Sequence, residues 1–291
     1  MKALLYATLV LGLVAGSVQA GTILVVTDCE VPGGAGTDHR DDNLVAFLQG
    51  LGHTVDTYGM NKTMRGDFDA TDQTHADGAD LIIVSRRTGS GDYNKPTQWN
   101  SIATPLIQCS GYLTRSSRWK WTAGGSGDAT RTETDLVIDA AHTGHAFLSG
   151  LTGPVGLFDW STVPAGNNQA PKGVYLPNKD GSSDFDDEAT VIGTFDGRDM
   201  LADLPAGATM SNGDVLGARR AFLSHWGYDG WLDFLPYGSD TGEDRDANWG
   251  DFITDDHKTV LTNMVNTLIP EPATLTLLVV GAVATLIRRK K

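Results

Sequence analysis

The run Thr22 to Thr27 (TILVVT) constrains this chain most. A short stretch that is apolar and β-branched throughout is the pattern of a strand buried on both faces. A glycine-rich loop follows from Pro32 to Gly36. Asp41 and Asp42 then open a segment that carries Leu44, Phe47, Leu48 and Leu51 at the i, i+3, i+4, i+7 spacing of one helix face. Two acids suit the N-terminal dipole of that helix, and Gly52 ends it. His53 to Tyr58 reads as a second strand with Val55 inward, Asp80 to Ser85 (DLIIVS) as a third, and Pro105 to Cys109 (PLIQC) as a short fourth. This order predicts an α/β domain with a mainly parallel sheet and helices on both faces.

The rest of the body is less regular. Thr122 to Thr134 is rich in Gly, Thr and Ser, and Gly153 to Asp187 reads as a loop- and β-rich insertion. Order returns in two strand-like runs, Ala189 to Phe195 and Arg220 to Ser224. A final helix begins at Thr254, a good N-cap, with Val260, Leu261, Met264, Val265 and Leu268 on one face. The formal net charge of −14 disfavours nucleic acid and anionic lipid as partners. Two cysteines, Cys29 and Cys109, are too few for a disulfide scaffold. Whether they pair is left open by the sequence.

The two ends carry addresses. Lys2, the apolar run Ala3 to Val14 and the small-residue site Ser17-Val18-Gln19-Ala20 form the three parts of a secretory signal peptide. Cleavage is expected after Ala20; a retained membrane anchor is the other reading. At the far end Pro270-Glu271-Pro272 precedes an apolar run, Ala273 to Ile287, and then Arg288, Arg289, Lys290 and Lys291. That order resembles the PEP-CTERM sorting signal of Gram-negative envelope proteins. The resemblance implies export by the secretion machinery and transient anchoring in the inner membrane. An exosortase would then remove the tail, and the protein would go to the periplasm, the outer surface or the extracellular matrix. The basic end would stay on the cytoplasmic side, and a permanent single-pass anchor is the alternative. The chain thus divides into a signal peptide (1–20), a body (21–269) and a sorting tail (270–291).

Within the body, several strings resemble the class I glutamine amidotransferase-like group and, inside it, the ThuA-like proteins. They are the opening strand–loop–helix with LGHTV; Ser85-Arg86-Arg87 through Ser90-Gly91-Asp92-Tyr93; Pro105-Leu106-Ile107 with Tyr112 to Trp119; His145 to Leu151; and Arg219 to Leu223 with the last helix. The resemblance implies a flavodoxin-like three-layer α/β/α sandwich. An amidotransferase needs a thiolate on a sharp strand-to-helix turn with a His base. Cys109 falls where that elbow belongs and Gly111 matches its second glycine, but Ile107 replaces the first. His225 is followed by Trp226 and Gly227, not by the expected Pro-Glu. The triad is therefore incomplete, and Cys109 also reads as a small buried residue at a strand end.

Ligands of open α/β sheets bind at the carboxyl ends of the strands. Asp28, Ser85, Arg86 and Arg87 fall there; Asp28, Ser85 and Arg86, with His225, are the pocket groups of a sugar-acting enzyme reading. Two guanidiniums beside a Gly-Ser-Gly loop suit a carboxylate, a phosphate or an acidic sugar. Equally, one Arg could pair with Asp28 or Asp92 to tie down the loop. Arg115, Arg118, Trp119 and Trp121 form a second set, which reads either as a sugar platform or as core packing with cation–π contacts. Trp226, Tyr228, Trp231, Phe234 and Tyr237 read as a binding surface or lid. Oxygen ligands at every second position, among them Asp180, Asp184 and Asp186, suit Ca²⁺ or else a solvated acidic loop. The expected function is an exported, non-catalytic binding or matrix-associated protein, with extracellular polysaccharide as a partner. A ThuA-like enzyme acting on a sugar is the alternative.

Overall fold

The structure, a computed structural model, describes residues 20–35, 41–122, 124–128, 135–159, 172–174, 188–224 and 253–269. The signal peptide, the sorting tail, His225, the aromatic loop from Trp226 and the acidic set Asp180, Asp184 and Asp186 lie outside the described residues.

The elements follow in the order β1 (Thr22–Val26), α1 (Asp42–Gly50), β2 (Thr54–Asp56), α2 (Ala70–Gly78), β3 (Leu81–Val84), α3 (Pro96–Ser101), β4 (Leu106–Gln108) and α4 (Gly111–Thr114). Then come β5 (Ser126–Asp128), β6 (Val137–Ile138), β7 (Lys172–Val174), β8 (Thr190–Phe195), β9 (Arg198–Leu204), β10 (Arg220–Leu223) and α5 (Asp255–Leu268). One mixed sheet runs β2-β1-β3-β4-β10-β9-β7-β5, with β8 added on β9 and β6 on β8. Its first five strands pair in parallel, and the extension beyond β10 is antiparallel.

Alternation along the buried strands builds two cores. Ile23, Val25, Leu81, Ile83 and Ile107 pack on one face with Leu44 and Leu48 of α1 and Val260 to Leu268 of α5. Leu24, Val26, Ile82, Val84 and Leu106 pack on the other with Ala76 of α2, Trp99 of α3 and Leu113 of α4. Continuous apolar strands need exactly such cover on both sides, and the result is the expected α/β three-layer arrangement.

Local chemistry sets the element ends. After α1, Gly52 adopts φ +94°, so that its amide reaches Gln49 O and the His53 amide reaches Leu48 O, which closes the helix in a Schellman motif. Thr254 caps α5 by accepting from the His257 amide at 3.1 Å. Arg220 is fully buried and donates to the carbonyls of Asn100, Ile102 and Thr104 (3.2, 2.7 and 2.8 Å), which fastens β10 to the open C-terminal end of α3. Burial without a carboxylate pulls its guanidinium down to about 10.

Candidate functional site

β1, β3 and β4 all end at one pole, and the strand order reverses between β1 and β3. A crevice outside the strand ends at such a switch point is where open α/β sheets place ligands. Here a pocket of about 400 Å³ opens there, lined by Asp28, Arg86, Arg87, Thr88, Gly89, Ser90, Tyr112 and Arg115.

The loop after β3 is held rigidly. The Ser85 amide continues the sheet to Val26 O at 2.9 Å, Ser85 Oγ accepts from the Arg87 amide at 3.2 Å, and Thr88 Oγ1 donates to Ser85 O at 3.0 Å. The Asp28 amide donates to Arg87 O at 2.8 Å and so joins this loop to the end of β1. Arg86 is only 2% exposed, and its guanidinium carbon lies 4.6 Å from the centre of the Tyr112 ring. Arg115, at the end of α4, approaches the same ring at 5.5 Å. Both distances fall inside the cation–π range, so one aromatic ring positions two cations on the pocket wall.

Asp28 lines the pocket and also ties its rim together. Its carboxylate accepts from Arg65 Nε (3.2 Å), the Gly89 amide (3.1 Å) and Tyr93 Oη (3.0 Å), and Arg65 Nη2 closes the ion pair at 2.8 Å. Arg65 also reaches Asp92 at 3.4 Å. The tie between Asp28 and Asp92 is therefore made by Arg65, a residue the sequence reading missed. Asn61, Lys62 and Met64, at φ 59°, 66° and 63°, hold the turn that delivers it. Each such non-glycine conformation costs about 1–3 kcal/mol, which marks this turn as constrained by its surroundings.

Other expected site residues part company. Ser85 is buried and braces the loop, outside the pocket lining. Trp119 is a core residue: it is fully buried, stacks on Trp99 at 4.9 Å and donates Nε1–H to Tyr93 O at 2.9 Å. Trp121 is likewise buried and bonded to Asn100. Arg118 donates to the neighbouring Ser117 carbonyl and does not line the pocket. Arg86, Arg87 and Arg115 do converge, and Tyr112 joins them.

Cys29 and Cys109 are both buried free thiols. Cys109 lies between β4 and α4 but is not among the residues with positive φ, so it lacks the strained backbone of a nucleophile elbow. Burial first, and the nearby Asp41 second, push its thiol far above the ordinary range. A thiol so raised supplies almost no thiolate at neutral pH. Among the described residues no group of three or more His, Cys, Asp or Glu is placed to hold a metal ion. His145 is used structurally: its Nδ1 accepts from the Phe147 amide, and its Nε2 faces Asp203 at 3.3 Å, itself held by Arg219. No described helix is long and apolar enough to cross a membrane.

No protein-family model matches the chain, and no curated protein matches it in sequence. Among the solved structures similar to it in outline are the following two. One is the cytoplasmic protein STM3548 from Salmonella typhimurium, at 12% identity over 84% of this chain and 97% of that one, with a TM-score of 0.43. The other is SMU.1228c, at 12% identity over 86% and 100% of the two chains, with a TM-score of 0.40.

Proposed function

We propose that this chain is an exported cell-envelope protein whose α/β body binds an anionic ligand, an acidic sugar of extracellular polysaccharide, without turning it over. In this reading the secretion machinery exports the chain and its leader is cut after Ala20. The tail from Pro270-Glu271-Pro272 then holds it in the inner membrane until an exosortase removes it. The observation that carries the ligand reading is the convergence of Arg86, Arg87 and Arg115 on one pocket in a chain of net charge −14. Guanidinium forks match the two oxygens of a carboxylate. The buried, elbow-free Cys109 supports binding without acyl chemistry.

Calorimetric titration of the exported protein with a glucuronate-containing oligosaccharide and its neutral counterpart tests this. The acidic sugar should bind, and Arg115→Ala should weaken it about 10–100-fold, the scale of a lost charge-assisted hydrogen bond. Equal binding of the neutral sugar would sink the ligand reading. Mass spectrometry of the chain from cells with and without an exosortase tests the tail: loss of the residues after the Pro-Glu-Pro triplet should depend on the enzyme.

The second reading, a ThuA-like enzyme acting on a sugar, draws on Asp28 and Arg86 sharing the pocket wall. It needs turnover that survives Cys109→Ala and is lost in Arg86→Ala.

A further inference from the structure

The body begins against its own last helix. Gly21 is buried whereas Ala20, one residue earlier, is exposed. The Gly21 amide donates to His53 Nδ1 at 3.2 Å, and its carbonyl accepts from the Thr54 amide at 2.9 Å. The Thr22 amide donates to Asp80 Oδ2 at 2.8 Å. A Cβ placed on Gly21 would sit 3.2 Å from that same Asp80 oxygen and 3.1 Å from Ile269 Cδ1, so both side chains already press close on this residue. His53 is 5% exposed, and its Nε2 has no hydrogen-bond partner among the described residues. A buried imidazole acceptor on the Gly21 N–H and a carboxylate on the neighbouring Thr22 N–H thus stand side by side at the start of β1, and that carboxylate has acceptor capacity beyond the one amide it takes.

The geometry points to a receiving site for a new chain terminus: His53 and Asp80 hold the α-ammonium of Gly21 that cleavage after Ala20 creates. This inference rests on the export reading above. In the cleavage, water adds across the bond between the Ala20 carbonyl and the Gly21 nitrogen. Ala20 leaves as a carboxylate, and Gly21 keeps the nitrogen as an amine. That amine takes a proton from solvent near neutrality, because α-amino groups titrate at about 8. One of its three N–H groups keeps the bond to His53 Nδ1, and the new charge faces Asp80. His53 from the turn between α1 and β2 bonds this nitrogen, while Asp80 from the turn before β3 and the apolar Ile269 after α5 pack against the same residue on its Cα side. Processing therefore tightens the fold where its first strand meets its last helix.

The test compares chains that run to Lys291 in one detergent buffer and begin at Gly21 with a free amine, at Gly21 with an acetylated amine, or at Ala20. The free Gly21 chain should melt about 2–4 °C above the other two. Asp80→Asn, which keeps the acceptor oxygen but removes the charge, should erase that difference. Equal melting of the three chains, or a difference that persists in Asp80→Asn, overturns the receiving site. N-terminal sequencing of the exported protein reads the other half separately. A start at Gly21 supports the proposal, and a start elsewhere overturns both the processing point and the site built on it.

Discussion

His257 is fully buried beside Phe158, and desolvation lowers its imidazole to about 3, outweighing an opposing pull from the Leu157 backbone. The unfolded chain takes up this proton near 6.5, while the folded protein refuses it until about 3. The unfolded state therefore binds more protons across that window, and stability falls as pH falls through it. Over the whole window the loss is on the order of 5 kcal/mol, a large share of a typical net stability. Urea unfolding from pH 7 to 4 should show a steep decline that flattens in His257→Leu; an unchanged slope would rule this histidine out as the cause. Some slope should remain, because burial also lowers His53 and His145. The cysteines make a second residue-level expectation: intact mass should show neither Cys29 nor Cys109 alkylated in native buffer at pH 8, and both alkylated in urea. Rapid native labelling of Cys109 would reopen thiolate chemistry. Arg115 stood out only through its Trp neighbours, whereas Arg86 and Arg87 were legible because the strand-end rule points to them from sequence alone. Trp119 was not, because an aromatic residue beside Arg reads the same whether it stacks on a sugar or on Trp99. Arg65 was invisible for another reason. It reaches Asp28 from 37 residues away, out of a loop with no periodic pattern.

Elements with a strong period were readable, and those held by polar chemistry were not. Every apolar residue expected on α5 is buried, and its expected cap, Thr254, is in place. The Thr254 hydroxyl also donates to the Gly156 carbonyl, so one side chain both opens the helix and ties it to the preceding segment. Thr254→Ala should cost about 1–2 kcal/mol and lower the melting temperature by about 2–6 °C, while Thr254→Ser should recover most of it. A calorimetric scan in which Ala and Ser behave alike would show that the hydroxyl contributes nothing. By contrast α2, with the sequence ATDQTHADG, buries only Asp72 and Ala76. Its signal was the Asp69 and Asp72 capping box, not hydrophobic spacing. β9 was missed although its marker stood in the sequence. Asp196-Gly197 separates β8 from β9, and both residues have positive φ (51° and 66°), as a two-residue hairpin turn requires.

At the scale of the molecule, the direction of the parallel strands separates the two proposed sites in space. Gly21 and Ile269 meet at the pole where β1 and β3 begin, and the arginine pocket opens at the pole where those strands end. β1 has five residues, so about 16 Å of strand lies between them. Because the strands are stiff and covered on both faces, an attachment at the first pole has no short path by which to distort the pocket. A chain still carrying its tail in a lipid nanodisc should therefore bind an acidic sugar with the same affinity, within about twofold, as the chain after tail removal. The acidic body adds one qualification of known sign. Net negative charge repels an anion at long range, and at 0.1 M salt this is screened beyond about 10 Å. The comparison must then be made at one ionic strength, in nanodiscs of neutral lipid. A tenfold loss of affinity in the tethered form, restored on release, would mean that the membrane covers the pocket and that the two poles are not independent.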